Sequence, residues 1–282
     1  MSGVHHGEAI RERRILASHR VALDVLRLVV LERFPEGAVT WLDVGCGRGQ
    51  ILYGTKGVVG EQEVARIRYF GCDGDRNYCR EATEFATQQG FVEPQIVPCG
   101  IDQLRAQLGH VQAQFVTIAN VVHELEPSLL AATIFDGLAC LSGNGVLHVH
   151  DIRSVDPAEL GSVCWTADEI EVVLAPLLSL FKRPGAQRRV QEWGLEEARD
   201  WCLDLWRDRL PLTDDQLAAQ RDETVGQVEE AIRTVLPAKR NAHHRALKTY
   251  LQYPPQTDES RREVSQAVHE CWTISAWLEG VQ

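Results

Sequence analysis

Apolar and polar positions follow two rhythms along this chain. From about Glu8 to Arg33, Ile15, Leu16, Val21, Leu23, Leu26, Leu28 and Val29 recur at helical spacing among charges, which predicts an amphipathic helix. Phe34-Pro35-Glu36-Gly37 stops it. Short apolar runs are then predicted as strands at 39–44, 67–72, 95–97, 114–119 and 145–150. Helices are predicted between them at 77–89, 101–108 and 128–141. Strands and helices alternating at this spacing imply βαβ units, hence an α/β fold with a doubly wound, mostly parallel sheet and helices on both faces.

After Asp151 the rhythm changes. Trp165-Thr166-Ala167-Asp168 reads as a helix start, with Thr166 as cap and Glu169 at the capping-box position. The runs 178–181 and 188–193 flank Arg183-Pro184-Gly185-Ala186, which predicts a final antiparallel hairpin. From Gly194 onward no strand is predicted. Helices are expected near 195–209, 213–235, 238–251 and 260–279, separated by Leu210-Pro211, Leu236-Pro237 and Pro254-Pro255. The chain thus divides into an N-terminal helical segment (1–38), an α/β domain (39–193) and an all-helical C-terminal appendage (194–282). The appendage would serve as a lid, a substrate-recognition region or a dimer arm.

Composition narrows the partners. The 282 residues are 44% hydrophobic, ample for a packed core. Lys+Arg 29 against Asp+Glu 40 gives a formal charge of -11, which argues against generic binding of phosphate backbones. The opening residues have no apolar signal region, and no apolar run is long enough to cross a bilayer. Eight cysteines without CxxC or zinc spacing read as reduced, mostly buried thiols, so a cytoplasmic protein without a membrane partner is expected.

The chemistry begins at Trp41-Leu42-Asp43-Val44-Gly45-Cys46-Gly47-Arg48-Gly49-Gln50. Close-set glycines after a buried strand let the backbone turn sharply and approach a ligand. A dinucleotide loop would read G-x-G-x-x-G; here the third glycine comes one residue early. Asp43 beneath the loop would oppose a pyrophosphate but suit an ammonium and a sulfonium. The stretch resembles the first motif of class I S-adenosylmethionine-dependent methyltransferases, and the resemblance covers roughly residues 40–151.

The resemblance implies S-adenosylmethionine as cofactor, with specific roles. Gly45, Cys46, Gly47 and Gly49 would make room for the methionine part, and Asp43 would order its amino group, directly or through water. Asp73, at the end of the second strand beside Gly74, would accept both ribose hydroxyls, with Asp75 as a rival. Asp102 would take the adenine amino group while Ile101 packs on the ring. Asn120 would line the methionine side. Two features depart from the family pattern. The link from Gly49 to Asp73 is long and carries Gly54, Gly57 and Gly60, so its first helix must be short or broken. Gln114 stands where an acid often begins the fourth strand.

Beyond strand ends in an open α/β sheet lies the ligand side. His123 and Glu124 follow the fourth strand there, and His150 and Asp151 end the fifth, so these groups are expected to converge near the transferable methyl. His123 would be the base that removes a proton from the acceptor, oriented by Glu124 or Asp151. The bland reading is a histidine that only bonds a loop carbonyl or packs near adenosine. A metal held by His123, His150, Glu124 and Asp151 is an alternative that no compact motif such as H-E-x-x-H supports, so no metal is expected. Pro98-Cys99 precedes the third helix, and Asn120 is followed by Val-Val-His; neither fits the base-modifying DNA methyltransferases.

Methyl transfer to a small-molecule or protein side-chain acceptor is therefore expected. RNA methylation is an alternative, through basic stretches at Lys182, Arg183, Arg188 and Arg189 and at Lys239, Arg240, His243, His244, Arg245 and Lys248. A non-catalytic, cofactor-binding scaffold or sensor is a third.

Overall fold

A computed structural model describes residues 17–100, 103, 106, 111–155, 157–181, 190–193 and 200–280. Helix α1 (Ala17–Arg27) runs into a π-helical turn (Leu28–Arg33). Strand β1 (Val39–Val44) leads to a 3-10 turn (Gln50–Gly54) and two short helices, α2 (Thr55–Val59) and α3 (Glu61–Val64). The expected first helix is therefore broken, with Gly60 at φ 98° between its pieces. Then come β2 (Ile67–Asp73), α4 (Arg76–Gln89), β3 (Gln95–Pro98), β4 (Ala113–Ala119), α5 (Pro127–Ala139) and β5 (Leu141–Asp151). The remaining elements are α6 (Ala167–Val173), α7 (Ala175–Ser179), β6 (Val190–Trp193), β7 (Asp200–Trp206), α8 (Asp214–Ala219), α9 (Arg221–Gln252) and α10 (Asp258–Glu279).

One seven-stranded sheet has the order β3-β2-β1-β4-β5-β7-β6. The first five strands are parallel, and β7 runs antiparallel to both β5 and β6. The order reverses between β1 and β4, which is where such sheets hold ligands. One face packs Val39, Trp41, Tyr69, Phe115 and Val146 against Leu23, Leu26 and Val30 of the N-terminal helix. The other packs Leu42, Val116, Ile118, Leu147 and Val149 against Leu130, Ile134 and Leu138 of α5, and against Val228, Ile232 and Leu236 of α9. Arg221 of α9 ties the long helix to α5 with paired bonds to Asp136, Nε–Oδ1 at 2.7 Å and Nη2–Oδ2 at 2.8 Å.

Three expectations are corrected. Residues 200–206 form a strand, not a helix near 195–209, so the sheet continues past the expected boundary at 193. Both faces of β7 are buried, Trp201, Leu203 and Leu205 on one side and Cys202 and Trp206 on the other. No alternation is visible in such a strand, and Asp200 and Asp204 at spacing four imitate a helix. Residues 175–179 are helical, so the hairpin partner of β6 is β7. Pro237 lies inside α9 and does not end it. A proline removes one backbone bond there, but Val228, Ile232 and Leu236 are buried before it, and Lys239, Arg240 and His243 after it bond Glu169, Ser275 and Glu270. The capping box of Thr166 and Glu169 forms as expected. The first part of the N-terminal helix, most of the 101–108 helix and the 182–189 stretch lie outside the described residues.

Candidate active site

The glycine loop leaves β1 at the reversal of strand order. Gly45, Gly47 and Gly49 have φ of 70°, 51° and 76°, the left-handed region that side chains other than glycine resist. Gly45 N–H and Cys46 N–H both donate to Cys72 O at the end of β2, at 2.9 Å each. Gly47 N–H donates to Asp73 Oδ2 at 3.0 Å, and Asp75 N–H to Asp73 Oδ1 at 2.9 Å. Asp73 thus braces the loop, and each of its oxygens keeps a lone pair for a further donor. Nothing lies within 4 Å of where a side chain would start at Gly47 or Gly74, so both flank open space. Asp75, the rival to Asp73, instead caps α4, accepting from Asn77 N and Tyr78 N.

Asp43 sits deeper than expected. It is 2% exposed and accepts from Thr117 Oγ1 at 2.6 Å and Tyr69 Oη at 2.7 Å. Thr117 in turn accepts from Trp41 Nε1 at 2.8 Å. The carboxylate therefore clamps β1, β2 and β4 beneath the loop. Burial raises its pKa to about 6, against the lowering effect of the two hydroxyls and with a further push from Asp73.

The sign of the resulting pH dependence follows. A carboxyl with a folded pKa above its unfolded 3.8 binds its proton more tightly when folded. The stability it contributes is complete below pH 3.8 and is lost as pH rises through about 6. The stability gap between the wild type and Asp43→Asn is expected to shift against the wild type by on the order of 2 kcal/mol between pH 4 and pH 7. Urea unfolding of both proteins at the two pH values measures it; a constant gap would show that Asp43 does not titrate this way.

Asn120 directly follows β4 at φ 57°, a conformation that asparagine tolerates better than most residues. Its N–H donates to His150 O at 2.9 Å, joining the ends of β4 and β5. The turn delivers Val121 against Gly45 and His123 against Asp151. Asp151, fully buried, accepts from His123 N at 2.6 Å, His123 Nδ1 at 2.7 Å and Ile152 N at 2.7 Å. His123 is 3% exposed, and its Nε2 lies 3.7 Å from Glu124 Oε1. Burial alone would lower the imidazole's pKa, but the charge and hydrogen bond of Asp151, with Glu124 and Glu159 adding, raise it to about 9. A histidine tuned near neutrality was expected; the carboxylates around it hold its proton more tightly. Burial likewise raises Glu124, the charge of His123 opposing.

His150 does not join this group. Side chains alternate along a strand, so His150 points to the face opposite Asp151. There its Nε2 lies 3.7 Å from Asp200 Oδ2, and its ring stacks near His148, which bonds Asp204 Oδ1 at 2.7 Å. Sequence reasoning also missed Glu159. It lies in the loop between β5 and α6, in Pro157-Ala158-Glu159-Leu160, which has no signal beyond that of a solvated turn. Ile101, Asp102 and the basic stretch 182–189 lie outside the described residues. In the second basic stretch, Lys239 bonds Glu169 at 3.0 Å, His243 bonds Glu270 at 2.8 Å, and Arg240 bonds Ser275. Only His244, Arg245 and Lys248 of that stretch are exposed. All eight cysteines are buried thiols. Among the described residues, no helix is long and apolar enough to cross a membrane.

No family model and no curated protein matches the sequence. Solved structures do. The DszA carbon methyltransferase aligns with a TM-score of 0.50 at 17% identity, over 68% of this chain and 54% of that one. The CurJ carbon methyltransferase aligns at 0.50 and 14% identity, over 71% and 58%. The magnesium protoporphyrin IX methyltransferase of Synechocystis PCC 6803, crystallised with S-adenosylmethionine, aligns at 0.47 and 15%, over 71% and 82%. The chain spans just over half the length of the two carbon methyltransferases.

Proposed function

We propose, from a chain that has the class I methyltransferase fold, that this protein moves a methyl group from S-adenosylmethionine to a small-molecule or protein side-chain acceptor. The observation that carries this reading is the bond from Gly47 N–H to Asp73 Oδ2, which joins the glycine loop and the carboxylate at the reversal of strand order. Open space beside Gly47 and Gly74 and the spare lone pairs of Asp73 fit a sugar diol bound along the loop. The cofactor, when bound, supplies an electrophilic methyl on a sulfonium. Gly45, Cys46, Gly47 and Gly49 would hold its methionine part, with Asn120 closing that side. Asp43 would act from beneath through its field, since its oxygens already accept from Thr117 and Tyr69. Asp73 and Gly74 would take the ribose, and Ile101 and Asp102 the adenine.

On the acceptor side, His123 and Glu124 form the wall and Asp151 is a positioning residue. The inward pairing of Lys239 and His243 leaves the RNA alternative with fewer free cations. The buried thiols support a reducing, cytoplasmic setting. Calorimetric titration of the full chain with S-adenosylmethionine tests the reading, and absence of binding would overturn it. Asp73→Asn, which puts an N–H2 where an acceptor stood, is expected to weaken binding about 10- to 100-fold while the far-UV circular dichroism stays unchanged. Formation of S-adenosylhomocysteine in cell extract, with and without nuclease, separates an enzyme from a scaffold and RNA from other acceptors.

A further inference from the structure

One cluster in the site is not explained by holding a cofactor. His123, Glu124 and Glu159 each present a donor atom, and these atoms lie within 4.8 Å of one another. Among the described residues no other three His, Cys, Asp or Glu side chains gather in this way. The imidazole is not a loose member of the group. Asp151 takes Nδ1 and the His123 peptide N–H, at 2.7 and 2.6 Å, which leaves Nε2 turned toward the two glutamates from a buried position. That is the outer-shell arrangement that fixes a histidine as a metal ligand.

The segment carrying Glu159 is also fixed. Val163 N–H donates to His123 O at 2.7 Å, Ser162 Oγ donates to Glu159 O at 2.8 Å, and Gly161 N–H donates to Thr273 Oγ1 of α10 at 3.1 Å. The two ligand-bearing segments are therefore bonded to each other. The glutamate carboxylates are the solvent-facing members of the cluster.

We propose that His123, Glu124 and Glu159 form a site for one first-row divalent cation of the manganese or zinc type, with Asp151 holding the imidazole from behind. One imidazole and two carboxylates suit those ions. Donors around such an ion sit about 2.0–2.2 Å from it, so at most about 4.4 Å apart. Small rotations of the exposed glutamates close the remaining few tenths of an ångström. Three protein ligands leave coordination positions open, the pattern of a site that also receives an exogenous oxygen. Its assignment to the acceptor rests on the transfer reading above; the ion binding does not.

The test uses the full chain, freed of metal with a chelator and titrated with MnCl2 by electron paramagnetic resonance and with ZnCl2 by calorimetry. One ion per chain is expected. Glu159→Gln, a change at an exposed position, should weaken binding at least tenfold, and Asp151→Asn about 10- to 100-fold. Glu171→Gln, on the exposed side of α6, should leave it unchanged. Equal affinity in wild type, Glu124→Gln and Glu159→Gln, or no uptake of either ion by the wild type, would overturn the site. S-adenosylmethionine binding is measured on the same samples. A chain that takes the ion but not the cofactor keeps the site and loses the transfer reading; the reverse result keeps the transfer reading and loses the site.

Discussion

Asp151→Ala is expected to cost about 3–5 kcal/mol of folding stability, because it leaves a buried charge and buried donors without their partner. The carboxylate is fully buried and accepts two backbone N–H groups and one imidazole. Two of the three donors belong to His123, which is only 3% exposed, so water replaces the carboxylate poorly there. The loss should also release the turn Val122–Glu124, since His123 N–H is one of the three donors. Asp151→Asn keeps an acceptor oxygen and the side-chain volume, so it should lose less. Equilibrium urea unfolding at pH 7 measures all three proteins. An alanine variant with the wild-type midpoint would mean that this network contributes nothing to stability.

Gly45→Ala is the second large effect. A Cβ there would stand 2.4 Å from Val121 Cγ2 and 3.2 Å from Cγ1. Real contacts do not come that close, and Val121 is itself held by the left-handed turn at Asn120. The φ of 70° adds roughly 1 kcal/mol for any residue with a side chain, and overpacking adds about 1–3 kcal/mol. The sum is about 2–4 kcal/mol. The cause can be divided by a second change. Val121→Ala removes both methyl groups that clash, so the double variant should regain the steric part and keep the backbone part. Thermal unfolding of the four proteins closes the cycle; a double variant no better than Gly45→Ala alone would rule out the clash.

Much of this architecture is legible in the chain because β1, β2, β4 and β5 are short apolar runs bounded by glycine or by helix starts. The three glycines are legible because positive φ restricts residue type there, and Asp43 and Asp73 because they complete the motif around them. What escapes is decided by packing across the sheet. Trp201 and Trp206 face opposite cores, and no local pattern in residues 200–206 reveals a strand buried on both sides. The divergence of His150 from Asp151 follows from strand alternation and could have been read in advance. That Asp75 caps α4 while Asp73 braces the glycine loop could not, because Asp73 ends β2 and Asp75 stands only two residues on. Glu159 gains meaning only when α10 holds its loop beside His123.

That anchoring by α10 also fixes an order of assembly. A growing chain can pair β1, β2, β4 and β5 once Asp151 has been made, and the glycine loop then has both its anchors, Cys72 and Asp73. The loop bearing Glu159 has one early partner, His123, whose carbonyl accepts from Val163 N–H, and its other anchors come late. Gly161 waits for Thr273, and Cys164 for Glu270, more than a hundred residues later. Contacts of such long sequence separation form late. The glycine loop and both its anchors can therefore be complete while the segment beside His123 still lacks its hold on α10.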